Sequence, residues 1–137
     1  MPVIAPMMAQ LGVTDAARSV AFYRHVLQFD HTGGHEIDGH VYVATLRCGP
    51  AVLQVAEHDG VTNTPDQRGA RHATILFFEC DDVVARHAAV TSRGGAPTPL
   101  CVVDYWMRMK MFEIHDPDNH CLWFGQKTDE PVSDTHD

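Results

Sequence analysis

A chain of 137 residues is enough for one ordinary domain or two very small ones sharing a core. With 45% hydrophobic and 20% charged residues it has the balance of a globular chain, which excludes general disorder, and no apolar run approaches the ~18 residues of a membrane span. Ten Lys+Arg against eighteen Asp+Glu leave a net charge of −8 with no basic cluster, so a nucleic-acid partner, whose phosphates need cationic neutralisation, is disfavoured.

The opening MPVIAPMMAQ has neither a basic start nor a long apolar stretch, so no signal peptide is expected and a cytoplasmic location is. VIAPMMAQLGV reads as a strand, and TDAARSVAFYRHVL as a helix capped by Thr14 or Asp15. Ser19, Phe22, Tyr23, Val26 and Leu27 recur at helical spacing and form its inward stripe. Three strands follow: about 28–36, then GHVYVATLR, then PAVLQVAEH. Gly33-Gly34, Asp38-Gly39 and Gly49-Pro50 are the expected turns.

HDGVTNTPDQRGA is polar and rich in turn formers, which predicts a linker over 58–70. The order then repeats: RHATILFFEC as a strand, DDVVARHAAVTSRG as a helix ending at a glycine pair, and PLCVVD, MRMKMFEIH and HCLWFGQ as strands. KTDEPVSDTHD is a polar tail expected to be unstructured. Asp15 matches Asp81 and Gln54 matches Trp123, each pair about half a chain apart. The expected architecture is therefore α+β, with two βαβββ modules at 1–57 and 71–127, a 58–70 linker and a 128–137 tail. Neither module can bury enough surface alone, so their sheets are expected to pair around a cleft that could take a small molecule.

VTDAARSVAFYRHVLQF, ECDDVVARHAAVTSRGG and MFEIHDPDNHCLWFGQ, with the strand order between them, resemble the glyoxalase/bleomycin-resistance/dioxygenase (vicinal oxygen chelate) superfamily over about 3–127. The resemblance implies paired βαβββ modules around a shared cavity, commonly in a homodimer. In metal-dependent members it also implies a histidine on each module's first strand and a glutamate on each last strand. Those four positions fall here at Met8, Gln54, Ile75 and Trp123, and a one-residue slip in the second module would give Leu76. Thioether, amide, alkyl and indole groups do not hold a divalent cation as imidazoles and carboxylates do, so no metal and no cofactor are expected. Met8, Ile75 and Trp123 make an apolar, polarizable lining suited to a flat organic molecule, with Gln54 as one neutral donor and acceptor, or else the four simply fill a closed core.

Other patterns carry less. HDPDNH over 115–120 could suggest acid/base or metal chemistry, but Pro, Asp and Asn at this spacing predict a tight turn with Asn119 left-handed. Met107, Met109 and Met111 alternate with Arg108, Lys110 and Phe112, giving a methionine stripe for a core or a pocket wall. Trp106, at the entry to that strand, is a second candidate contact after Trp123. Cys48, Cys80, Cys101 and Cys121 have no CxxC spacing and read as reduced, largely buried thiols. His25, His35, His40, His72 and His87 form no HxH, HxxxH or HExxH pattern, and GxSxG and phosphate-cradling loops are absent. No catalytic residue can be assigned. The expected function is metal-free sequestration of a planar or partly apolar ligand such as an antibiotic, by a homodimer with no membrane partner. The alternative is a superfamily lyase, isomerase or dioxygenase with an atypical metal site.

Overall fold

The computed structural model describes residues 1–58 and 74–133. Its element order is β1 (Ala9–Val13), α1 (Ala16–Ala21), β2 (Asp30–Ile37), β3 (His40–Cys48), β4 (Ala51–Glu57), β5 (Ile75–Glu79), α2 (Val83–Ser92), β6 (Cys101–Asp104), β7 (Arg108–His115) and β8 (Cys121–Lys127). The chain divides into two compact units, Met1–Asn63 and Thr64–Asp137. Each unit holds one four-stranded mixed sheet, ordered β1-β4-β3-β2 in the first and β5-β8-β7-β6 in the second. In both, the first strand runs parallel to the last while the other pairings are antiparallel. This is α+β structure built from two βαβββ modules.

In the first unit, alternation puts Leu11 and Val13 of β1, Ala44 and Leu46 of β3, and Leu53 and Val55 of β4 on one buried face. Against it lies the α1 stripe, with Ser19, Tyr23 and Leu27 buried as their helical spacing predicts. Asp15, not Thr14, caps α1: its Oδ1 accepts from Arg18 N at 3.1 Å. The helix then widens into a π turn over Phe22–Val26. The first strand begins only at Ala9, because the preceding segment with Pro2 and Pro6 is solvent-exposed and has no strand partner among the described residues.

Asp38 and Gly39 take positive φ (51° and 80°) and close the β2–β3 hairpin as expected. Gly33-Gly34 does not make a turn. Both glycines lie inside β2 at a bulge, where the register slips between His31 and Gly33. Gly34 has φ 140°, and a Cβ there would lie 2.0 Å from the Val43 carbonyl oxygen, so only glycine fits.

In the second unit, Leu122 and Phe124 of β8 and Phe112 and Ile114 of β7 face α2. The Arg86 guanidinium sits 5.3 Å over the Phe124 ring, and His87 meets Phe112 edge-on. The helix is capped by Asp82, one residue later than the match of Asp15 to Asp81 implies. Residues 115–120 form the expected turn: Asp116 Oδ1 accepts from Asp118 N (3.0 Å) and His120 N (2.8 Å), and Asn119 has φ 65°. The expected unstructured tail is instead held as far as Ser133, which exchanges hydrogen bonds with Val102 while Glu130 pairs with Lys110 at 2.7 Å. Apart from His58, the expected linker lies outside the described residues.

Both modules tie the helix start to the last strand in the same way. Glu57 Oε2 accepts from Ala16 N at 2.9 Å, and Gln126 Oε1 accepts from Val83 N at 3.0 Å. Glu57 lies three residues after Gln54, and Gln126 three after Trp123, so the duplication read from the sequence is repeated at the level of single contacts.

Candidate functional site

Each sheet has a face turned away from its helix, and the two faces differ in chemistry. In the first unit it carries Gln10, Gln54 and Thr45, which are register partners across β1, β4 and β3. They form a polar ladder: Gln10 Nε2 donates to Gln54 Oε1 at 3.1 Å, and Gln54 Nε2 donates to Thr45 Oγ1 at 3.2 Å. Met8 stands outside β1 and is 48% exposed, so the residue opposite Gln54 is Gln10, which sequence reasoning did not single out. The β2 bulges also leave a depression of about 250 Å³ beside His31, His35 and Val43.

The corresponding face of the second unit is apolar and aromatic. Cys101, Val103, Met109, Met111, Cys121 and Trp123 pack into one cluster, with Phe77 and Met107 against it. The methionine stripe is thus a bed under the indole. Gly125 makes the packing possible, since a Cβ there would lie 2.9 Å from Phe77 Cε1 and 3.0 Å from Met109 Sδ. The loop between β6 and β7 folds over this bed. Tyr105 stacks on Trp123 at 5.8 Å between centroids and 23° between planes, and Trp106 meets Phe77 edge-on at 5.1 Å.

Of the residues singled out from the sequence, Met8 and Gln54 belong to the first unit and Ile75, Trp106 and Trp123 to the second. Trp123 is only 6% exposed and belongs to the packed cluster, whereas Trp106 is 63% exposed. Phe77, opposite Trp123 in register, and the intervening Tyr105 bring the two indoles into one aromatic array. Ile75 opens β5, is 37% exposed, and shares a face with Phe77 by alternation.

Beside this array lies a polar group. Glu113 is opposite Trp123, and His115 is opposite Cys121. Trp123 Nε1 donates to Glu113 Oε1 at 2.7 Å, while His115 Nε2 lies 2.6 Å from Glu113 Oε2. Partial burial pushes the Glu113 carboxyl up, but the hydrogen bonds from His115 and Trp123 outweigh it and leave the pKa below the ordinary value. The Cys121 thiol is pushed up to about 12 by burial and by the Glu113 charge beside it. One ligand atom from each of Glu113, His115 and Cys121 falls within 4.8 Å of the others. Paired histidines do not mark the trio; its signal in the sequence is a Glu-x-His alternation on one strand followed, after a short turn, by a cysteine.

The four positions at which metal-dependent members of the resembled superfamily bind their ion do not fit a cation here. Both polar ends of the Gln54 amide are engaged, the Trp123 N–H is committed to Glu113, and Met8 and Ile75 offer a thioether and an alkyl chain.

Two βαβββ modules, each with its first and last strands paired in parallel, define the class of fold. The model of the Glyoxalase/Bleomycin resistance protein/Dioxygenase superfamily matches residues 4–124, and the chain belongs to that superfamily. No curated protein sequence matches it. Among solved structures, TioX from Micromonospora sp. ML1 is 21% identical at a TM-score of 0.70, covering 90% of this chain and 99% of its own. The bleomycin-binding protein of bleomycin-producing Streptomyces verticillus, solved with copper(II)-bleomycin, is 20% identical at 0.69, covering 93% and 100%. Lactoylglutathione lyase from Agrobacterium tumefaciens is 18% identical at 0.63, covering 92% and 96%. At these identities the likeness is one of fold.

Proposed function

We propose that the protein sequesters a small planar or partly apolar organic molecule, such as an antibiotic, on the aromatic face of its second sheet, without a metal at the superfamily's four-strand position. The observation that carries this reading is the array of Tyr105 stacked on Trp123 and Trp106 set against Phe77, above a bed of methionines. Stacked rings with an exposed neighbouring indole offer a flat ligand π contact, and thioethers adapt to its outline. The bleomycin-binding fold neighbour supports a ligand of this class. We further propose a cytoplasmic homodimer, acting in antibiotic resistance, with 58–70 joining its modules.

The test is thermal unfolding with bleomycin and with a panel of planar aromatic compounds. A ligand at a hundred times its Kd adds about 2.7 kcal/mol, which raises Tm by a few degrees. Trp106→Ala should weaken that binding at least tenfold. A panel without any shift, or binding that survives Trp106→Ala unchanged, overturns the reading.

The second reading is a superfamily lyase, isomerase or dioxygenase with an atypical metal site. It is favoured by the Glu113–His115–Cys121 trio beside the aromatic face and by the lactoylglutathione lyase fold neighbour. Turnover of a hemithioacetal or catechol substrate that is lost with a chelator would select it.

A further inference from the structure

Glu113 and His115 occupy alternate positions on β7 and so leave the same face of the sheet, and Cys121, the first residue of β8, is the register partner of His115. One antiparallel pair therefore presents a carboxylate, an imidazole and a thiol together, with ligand atoms all within 4.8 Å. We propose that Glu113, His115 and Cys121 form a binding site for a thiophilic divalent cation of the zinc class, separate from the four-strand position used in metal-dependent relatives.

The donor set selects the class of ion. Calcium and magnesium take oxygen ligands, whereas one sulfur, one nitrogen and one oxygen suit zinc and its borderline-soft neighbours. Three protein ligands leave a fourth coordination position for water or for another molecule.

The backbone holds the site. Two of its ligands sit on β7 and the third on β8, and the connecting turn is fastened by Asp116 Oδ1, which accepts from the amides of Asp118 and His120. No ligand depends on a long loop. An outer hydrogen bond is also in place: Trp123 Nε1 donates at 2.7 Å to Glu113 Oε1, orienting the carboxylate so that Oε2 is the oxygen turned toward His115. Hydrogen bonds of this kind fix ligand orientation in established metal sites.

Exposure grades across the trio, with His115 exposed, Glu113 half-buried and Cys121 buried. An ion would enter past the imidazole and meet the sulfur at the bottom. His115 Nε2 and Glu113 Oε2 are now 2.6 Å apart, bridged by a proton. Ligands of one tetrahedral ion with bonds of about 2.1 Å stand about 3.4 Å apart, so the imidazole must swing outward slightly, as an exposed ring can. On binding, the bridging hydrogen bond opens, its proton leaves to solvent and the ring keeps a proton on Nδ1. The Cys121 S–H bond breaks, and the thiol proton also leaves to solvent. Bonds from the ion to Nε2, Oε2 and Sγ form in place of three of its bonds to water.

The experiment is titration of chelator-treated, reduced full-length protein with Co²⁺ and Zn²⁺. One equivalent of Co²⁺ should give a thiolate-to-cobalt charge-transfer band in the near ultraviolet, which Zn²⁺ then bleaches. The band should vanish in Cys121→Ser. His115→Ala, at an exposed position, should weaken Zn²⁺ binding by more than the ~10–100-fold that loss of an outer partner costs. In a Trp106→Phe background, Zn²⁺ should change the emission of Trp123 through its bond to Glu113. Binding without a sulfur band, or with the same affinity in His115→Ala, would assign the ion to other histidines and overturn the proposal. None of these readouts requires the organic ligand, so the site can fail while ligand sequestration stands, and the reverse.

Discussion

The indole of Trp123 donates a 2.7 Å hydrogen bond to Glu113, the residue directly opposite it on the neighbouring strand. A largely buried indole N–H must find a partner, and here the cross-strand carboxylate supplies it. Glu113→Ala leaves that N–H unsatisfied and should cost about 1–3 kcal/mol in urea unfolding of metal-free protein. Glu113→Gln retains an acceptor oxygen and should cost clearly less. Equal losses in the two variants would mean that the bond does not hold the ring.

Trp123 and Trp106 belong to one array but should respond differently to truncation. Trp123 lies within the packed cluster, so Trp123→Ala should cost roughly 3–5 kcal/mol of stability. Trp106 is exposed and touches Phe77 only at an edge, so Trp106→Ala should cost about 0.5–1.5 kcal/mol. Parallel denaturant curves decide the matter. Similar losses would make Trp106 a core residue and remove it as a contact.

Gly125 allows Phe77 and Met109 to close over the sheet. A methyl group placed there meets a ring carbon at 2.9 Å and a sulfur at 3.0 Å, both side-chain atoms that can yield only by disturbing the cluster. Gly125→Ala should therefore cost about 1–3 kcal/mol and change the near-ultraviolet circular dichroism of the tryptophans. An unchanged Tm would show that the bed is loosely packed.

The fold was legible because its signals are local or periodic. The helical stripe ending at Leu27, the alternation of β3 and β7, and the turn at 115–120 all follow from short-range rules, and the repeat of the two modules orders them. Gly33-Gly34 was misread because glycine pairs serve bulges as well as turns, and only the proximity of Val43 distinguishes the two. The site was less legible, because it depends on register. The resemblance assigns Met8, Gln54, Ile75 and Trp123 to positions along the chain, whereas the residues opposite Gln54 and Trp123, which are Gln10 and Phe77, emerge only from the parallel ladders. Glu113 and Cys121 acquire their meaning only when β7 and β8 are laid side by side.

The duplicated helix clamp gives a prediction in which one module controls for the other. Ala16 N donates to Glu57 and Val83 N to Gln126, the same contact made once to a carboxylate and once to an amide. Glu57 has its pKa lowered, first by its hydrogen bond to His40 and next by the Ala16 amide. A carboxyl whose folded pKa is depressed adds stability that is fully present above its unfolded value. That stability is lost as pH falls through the lower, folded value. Hydrogen exchange at the Ala16 amide should therefore lose protection in acid relative to Val83, whose amide partner does not titrate. Glu57→Gln should flatten this difference. Gln126→Ala, which removes the second clamp and its 2.6 Å bond to the Asp81 carbonyl, should cost about 0.5–2 kcal/mol at every pH, as loss of a helix cap does. If the protection of Ala16 and Val83 declines together in acid, the whole chain is unfolding and the clamp is not the pH-sensitive element.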